Sequence, residues 1–155
     1  MYKMSCLDWK HPIRSIKNCW WRITKGYCPD DVWEWYEFMA QLSHDTLIYL
    51  ANNHCGTMLE YENKDEEYTE KLRDIANTIL RATDYEDTYD NPFRELYYKD
   101  LENVEMVDGK LSFEKTDKEL FNHYINVEQK NSKRASQDLK EAYGWILDRW
   151  WEMWD

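Results

Sequence analysis

A chain of 155 residues has the length of one domain and is long enough to bury a real core. Its 31 acidic and 20 basic residues give a formal net charge of −11, which disfavours duplex nucleic acid as a direct partner, because a phosphate backbone needs a cationic footprint. Four Gly and three Pro are too few for the tight turns of an all-β sandwich, and no run of apolar residues is long enough for a membrane span.

The charge is uneven. Residues 1–25 hold six cations against Asp8, a net of +5, so the remainder carries −16. Such a segment is either a basic anion-binding element or a basic helix docked on the chain's own acidic body. Cys6, Cys19, Cys28 and Cys55 form no C-x-x-C and no short zinc spacing with His. The N-terminus lacks the apolar core of a signal peptide. Reduced thiols in a cytoplasmic compartment are expected.

Residues 1–10 read as irregular, and a first helix starts at His11-Pro12, with Pro in the first turn. Ile13, Ile16, Trp20 and Ile23 recur at i, i+3, i+7 and i+10 on one apolar face. Lys10, Arg14, Lys17, Trp21 and Lys25 make a basic stripe on another. Gly26 stands where a left-handed cap is expected. Cys28-Pro-Asp-Asp31 opens a second helix, expected to run to about Asn53 with Val32, Tyr36, Met39, Ala40, Ser43, Leu47 and Leu50 buried.

After a loop at 57–64, a third helix is predicted over Asp65–Thr83 through Tyr68, Leu72, Ile75, Ala76 and Ile79. The acidic stretch Asp84–Asn91 reads as a loop. Asn91 then caps a short helix to about Leu101. Asp108-Gly109 between alternating apolar residues predicts a β-hairpin near residues 104–113. Thr116-Asp-Lys-Glu119 is a capping box for a helix through Leu120, Tyr124 and Val127. The polar run Gln129–Ser136 either breaks that helix or is an exposed turn of one long helix. Leu139, Tyr143, Ile146, Trp150 and Met153 form a final apolar seam. The predicted fold is all-α, a bundle of four to six helices with one small hairpin, in a single domain over residues 1–155.

Chemistry has few handles. No Glu-x-x-His places a metal ligand pair on a helix, and no G-x-S-x-G, G-x-x-x-x-G-K or G-x-G-x-x-G is present. Cys55 follows His54, but adjacent residues rarely face one another, so an incidental thiol is expected there. No catalytic residue, metal site or cofactor is assigned. Glu66-Glu67-x-x-Glu70 resembles the acidic helices of all-α nucleotide pyrophosphohydrolases, which would imply a metal-dependent nucleotide hydrolase as one alternative.

The candidate ligand-binding residues are Trp20, Trp21, Arg22, Lys25, Tyr27 and Trp33, at the corner between the first two helices. Flat rings stack on aromatics, and an Arg fork grips phosphate. The competing reading is packing: aromatics staple the corner, and Arg22 or Lys25 pairs with an acidic neighbour. A third reading uses the acidic surface to mimic nucleic acid or to dock on a basic protein groove.

The corner pattern W-x-R-[aliphatic]-T-[KR]-G-[aromatic]-x-x-x-D-x-W, here Trp20, Arg22, Ile23, Thr24, Lys25, Gly26, Tyr27, Asp31 and Trp33, resembles a family of small, largely uncharacterised proteins of tailed bacteriophages. The resemblance extends to Met39-Ala40 and Leu47 and to the aromatic close Trp150-Trp-Glu-Met-Trp-Asp155, covering about residues 13–56 and the last fifteen. Tyr36 stands where the pattern has Asp, Asp45 where it has Pro, and Cys28 where it has Ser. The resemblance implies an infected bacterial cytoplasm and a non-enzymatic accessory protein that counters host defence by binding. The expected partner is a small nucleotide-like ligand or a host defence protein. A homodimer is expected if tryptophans of the final helix face outward.

Overall fold

Three long helices carry the architecture. The computed structural model describes residues 10–54, 56–107, 110–112 and 116–153, without the side chains of Asp30, Trp33, Glu105, Val107 and Lys110. Along the chain, α1 (Pro12–Lys25), α2 (Pro29–Trp33) and α3 (Trp35–Asn53) precede α4 (Asp65–Thr83), α5 (Tyr85–Thr88) and α6 (Arg94–Asp100). A hairpin of β1 (Glu105–Val107) and β2 (Lys110–Ser112) leads into α7 (Lys118–Asp148). The fold is therefore all-α with one small β element.

Helix α4 is the central rod, packed on α3 along one side and on α7 along the other. Its apolar residues at 68, 72, 75, 76 and 79 are all buried, as their helical spacing requires. They meet Ala40, Leu47 and Ala51 of α3 and Ala142 and Ile146 of α7, with Met58 and Met153 closing one end. Burying a Leu or Ile side chain contributes about 1.5–3 kcal/mol, so this seam is the main driving force. The final apolar seam is only partly as expected: Ile146 and Met153 are buried, while α7 stops at Asp148 and Trp150 lies past it, partly exposed.

Several local expectations need correction. The second helix is broken at Glu34, because α2 follows Asp31 toward Arg22 while α3 follows its buried Phe38, Ala40 and Gln41 toward α4. Val32 and Tyr36 consequently face outward. The stretch after Asp84 contains one helical turn, α5. Asn91 does not cap a helix directly; α6 starts at Arg94. The buried Asn91 side chain instead accepts from the Phe93 N–H and donates to the Tyr124 carbonyl and Glu128, tying the α6 approach to α7. At the start of α7 the cap is Asp117, not Thr116: its carboxylate accepts the N–H groups of Glu119 and Leu120. Helix α7 then runs unbroken for 31 residues, so Gln129–Ser136 is part of one long helix. The hairpin pairs Met106 with Leu111, and its Asp108-Gly109 turn lies outside the described residues.

Candidate functional site

The corner is built by α1, α2 and the three residues between them. Gly26 adopts φ 82°, which only glycine tolerates cheaply, and its N–H bonds to the Arg22 carbonyl to end α1. The Thr24 hydroxyl donates to the Trp20 carbonyl at 2.8 Å. Across the turn, Asp31 is fully buried. One of its oxygens accepts the Cys28 N–H at 2.6 Å and the other accepts Arg22 Nη2 at 2.5 Å, while Arg22 Nε reaches the first at 3.2 Å. A two-pronged guanidinium–carboxylate pair of this kind fixes direction as well as distance.

Of the six candidate residues, five have described side chains. Arg22 is held by Asp31, so its fork is not presented to a ligand. Trp21 and Tyr27 lie against each other, ring centroids 6.4 Å apart. Trp20 is exposed. Lys25 is exposed. The Trp33 side chain lies outside the described residues. Among the described residues, the larger cavities are lined by other elements. The packing reading of the corner therefore describes Arg22, Trp21 and Tyr27 well.

The exposed face of α1 is the larger surprise. Ile13, Ile16, Trp20 and Ile23 are 83, 70, 65 and 80% exposed, although an amphipathic helix ordinarily turns such a stripe to the core. Ser15 is the buried position of α1, on a different side. Among the described elements α1 approaches α2 and no other. Within the described elements the helix is thus an arm held by α2 alone.

A groove lies between α3 and α7. The two helices splay on either side of α4 and are bridged where Ser43 Oγ and Tyr143 OH lie 3.1 Å apart. Trp35, Tyr36 and Met39 form one wall, Ser136, Leu139 and Tyr143 the other, around a volume of 540 Å³. Every lining residue is uncharged, in a chain that is one-third charged. The sequence held a signal for it: Ser132, Ala135, Ser136, Leu139 and Tyr143 follow helical spacing, but the polar run Gln129–Ser136 reads from sequence as either a break or an exposed turn.

Three of the histidines have partners within the fold. His54 takes both ring nitrogens into hydrogen-bonding range, of the Gly56 carbonyl and the Thr69 hydroxyl. His123 stacks on Phe93, and His44 pairs with Asp45. Cys28 is a buried free thiol, and Cys55 lies outside the described residues. Among the described residues no three His, Cys, Asp or Glu side chains cluster to hold a metal ion, and no helix is long and apolar enough to cross a membrane.

Comparison with known proteins adds no relative: no family model, curated protein or solved structure matches this chain.

Proposed function

We propose that the protein is a non-enzymatic accessory protein of the tailed-bacteriophage type, acting in the bacterial cytoplasm to counter a host defence by binding, and that its partner is a host protein. One observation carries the choice of partner: α1, held by α2 alone among the described elements, has four large apolar side chains in solvent. Exposed stripes of this kind mark interaction sites, and an amphipathic helix laid into a groove is a recurrent mode of recognition. The acidic body adds long-range charge, as the acidic-inhibitor alternative supposes.

The nucleotide-sequestering alternative was built on the fork of Arg22, and Asp31 occupies that fork. The hydrolase alternative needs clustered carboxylates, which the described residues do not supply.

The test is infection of a defended bacterial strain that expresses the protein. Wild type is expected to restore plaque formation, and Ile16→Asp to abolish the rescue while helicity by circular dichroism is unchanged. Equal rescue by both would sink the arm as the binding element. Native mass spectrometry showing a retained small molecule would return the bet to the nucleotide-like ligand.

A further inference from the structure

The arm leaves a stripe uncovered, and the bundle leaves a groove unfilled. Helices α3, α4 and α7 make three sides of an arrangement that a four-helix bundle closes with a fourth helix, and between α3 and α7 that place is open. The stripe from Ile13 to Ile23 is about 15 Å long and the α7 wall from Ser132 to Tyr143 about 16 Å, at 1.5 Å per residue. Neither the stripe nor the groove lining carries a charge.

Their edges are complementary. Arg14 and Lys17 fall to one side of the stripe by helical spacing. On the α3 wall, Glu37 accepts a hydrogen bond from the Tyr36 phenol, and Glu34 and Glu86 lie close enough to join it in raising that phenol's pKa. The α7 side carries the exposed Lys133 and Lys140. Only one direction of insertion, with the basic flank on the α3 side, sets opposite charges together.

A chain's own arm is not seated in its groove: the Arg22–Asp31 pair ties α1 to α2, and among the described elements α1 contacts neither α3 nor α7. An anionic lipid surface would attract the arm but repel a body carrying −16 beyond residue 25. We propose that the arm of a second copy lies in the groove, and reciprocally, so that two arms and two grooves close a two-fold dimer from which the host partner displaces the arm. The proposal rests on α1 being the docking arm. At 150–250 Å² for an aromatic and somewhat less for each Ile, one arm covers on the order of 500 Å². Two arms with their grooves thus exceed the roughly 1,000 Å² that a specific interface needs.

The experiment is sedimentation of the full chain up to about 100 µM, where an interface of micromolar affinity is filled. Three samples are compared: wild type, Ile16→Asp on the arm, and Ser136→Arg in the groove wall. Both variants change exposed residues, so circular dichroism is expected to report an intact fold. Wild type is expected to be a dimer. Each variant is expected to weaken it at least ~100-fold, since a charge is forced into an apolar contact. An equimolar mixture of the two is expected to recover a dimer, through the one arm and one groove left intact. A monomeric wild type, a dimer indifferent to Ser136→Arg, or a mixture that stays monomeric would each overturn the proposal. Ser136→Arg leaves the arm whole, so plaque rescue by this variant judges the arm reading separately. Rescue at or above the wild-type level is expected. Rescue together with a monomeric wild type would end the dimer and spare the arm.

Discussion

Asp31 is the residue on which the corner turns. Its two oxygens serve Arg22 and the Cys28 N–H with no exposure to water, so a neutral amide there would take the carboxylate charge away from a guanidinium that is itself only 14% exposed. Removing one partner of a buried pair costs about 3–5 kcal/mol. That loss is expected to fall on α1 and α2 rather than on the bundle, because among the described elements α1 contacts α2 alone. Asp31→Asn should therefore speed amide exchange across residues 12–33 while leaving the main thermal transition of α3, α4 and α7 within a degree or two. A lowered main transition with unchanged exchange in α1 would contradict this. The same logic changes the meaning of Arg22→Ala. It opens the corner, so a binding defect in that variant would not identify a ligand contact. The double variant Arg22→Ala/Asp31→Asn should cost less than the sum of the two singles, as expected for residues that act on each other.

At the scale of elements, α6 and the first half of α7 are joined by rings. Tyr97 stacks on Tyr124 with centroids 4.2 Å apart, and Phe93 stacks on His123 at 5.3 Å. Burial first, then a hydrogen bond with Tyr98 and the charge of Glu128, push the Tyr124 phenol up to about 12. In the unfolded chain it titrates near 10. Between these values the folded state holds the proton more tightly than the unfolded state, so stability falls as pH rises. The contribution is complete below pH 10 and is lost on approaching pH 12. Tyr68, Tyr85 and Tyr89 are shifted upward in the same direction, each chiefly by burial. Tyr124→Phe is expected to flatten part of the alkaline decline in unfolding free energy. An unchanged slope between pH 10 and 12 would show that this phenol titrates alike in both states.

Legibility at this scale followed physical origin. Helices set by their own apolar period, such as α4, were readable to the residue. The kink at Glu34 was not, because it comes from the pairing of Arg22 with Asp31 across a turn, which no periodicity reports. The corner motif was legible as a unit, but its chemistry was not. Whether an arginine grips a ligand or a neighbouring carboxylate depends on burial of that carboxylate, and Asp31 looked like an ordinary acidic first-turn residue. The amphipathic pattern of α1 was likewise plain, yet a moment says only that one face prefers an apolar partner, not that the partner belongs to the same fold.

For the whole molecule, the division is between a bundle held by a shared core and an arm held at one corner. Regions with few buried contacts open locally at a small fraction of the global free energy. The arm also carries trypsin sites at Arg14, Lys17, Arg22 and Lys25. Brief trypsin treatment of the full chain is therefore expected to cut first within residues 12–25, leaving a resistant product that contains α3 to α7. Cuts distributed equally over α4 and α7 would contradict that division. Concentration adds a second reading to the same experiment. An arm seated in another copy's groove is shielded, so cleavage at these sites should slow as protein concentration rises through the dissociation constant, while Ser136→Arg is cut at a constant fast rate. A wild-type rate that ignores concentration would mean the arms stay open to solvent even when crowded. The charge distribution sharpens the expectation further. The basic flank of the arm meets Glu34, Glu37 and Glu86, so added salt should weaken the seating and restore fast cleavage at a concentration where low salt protects.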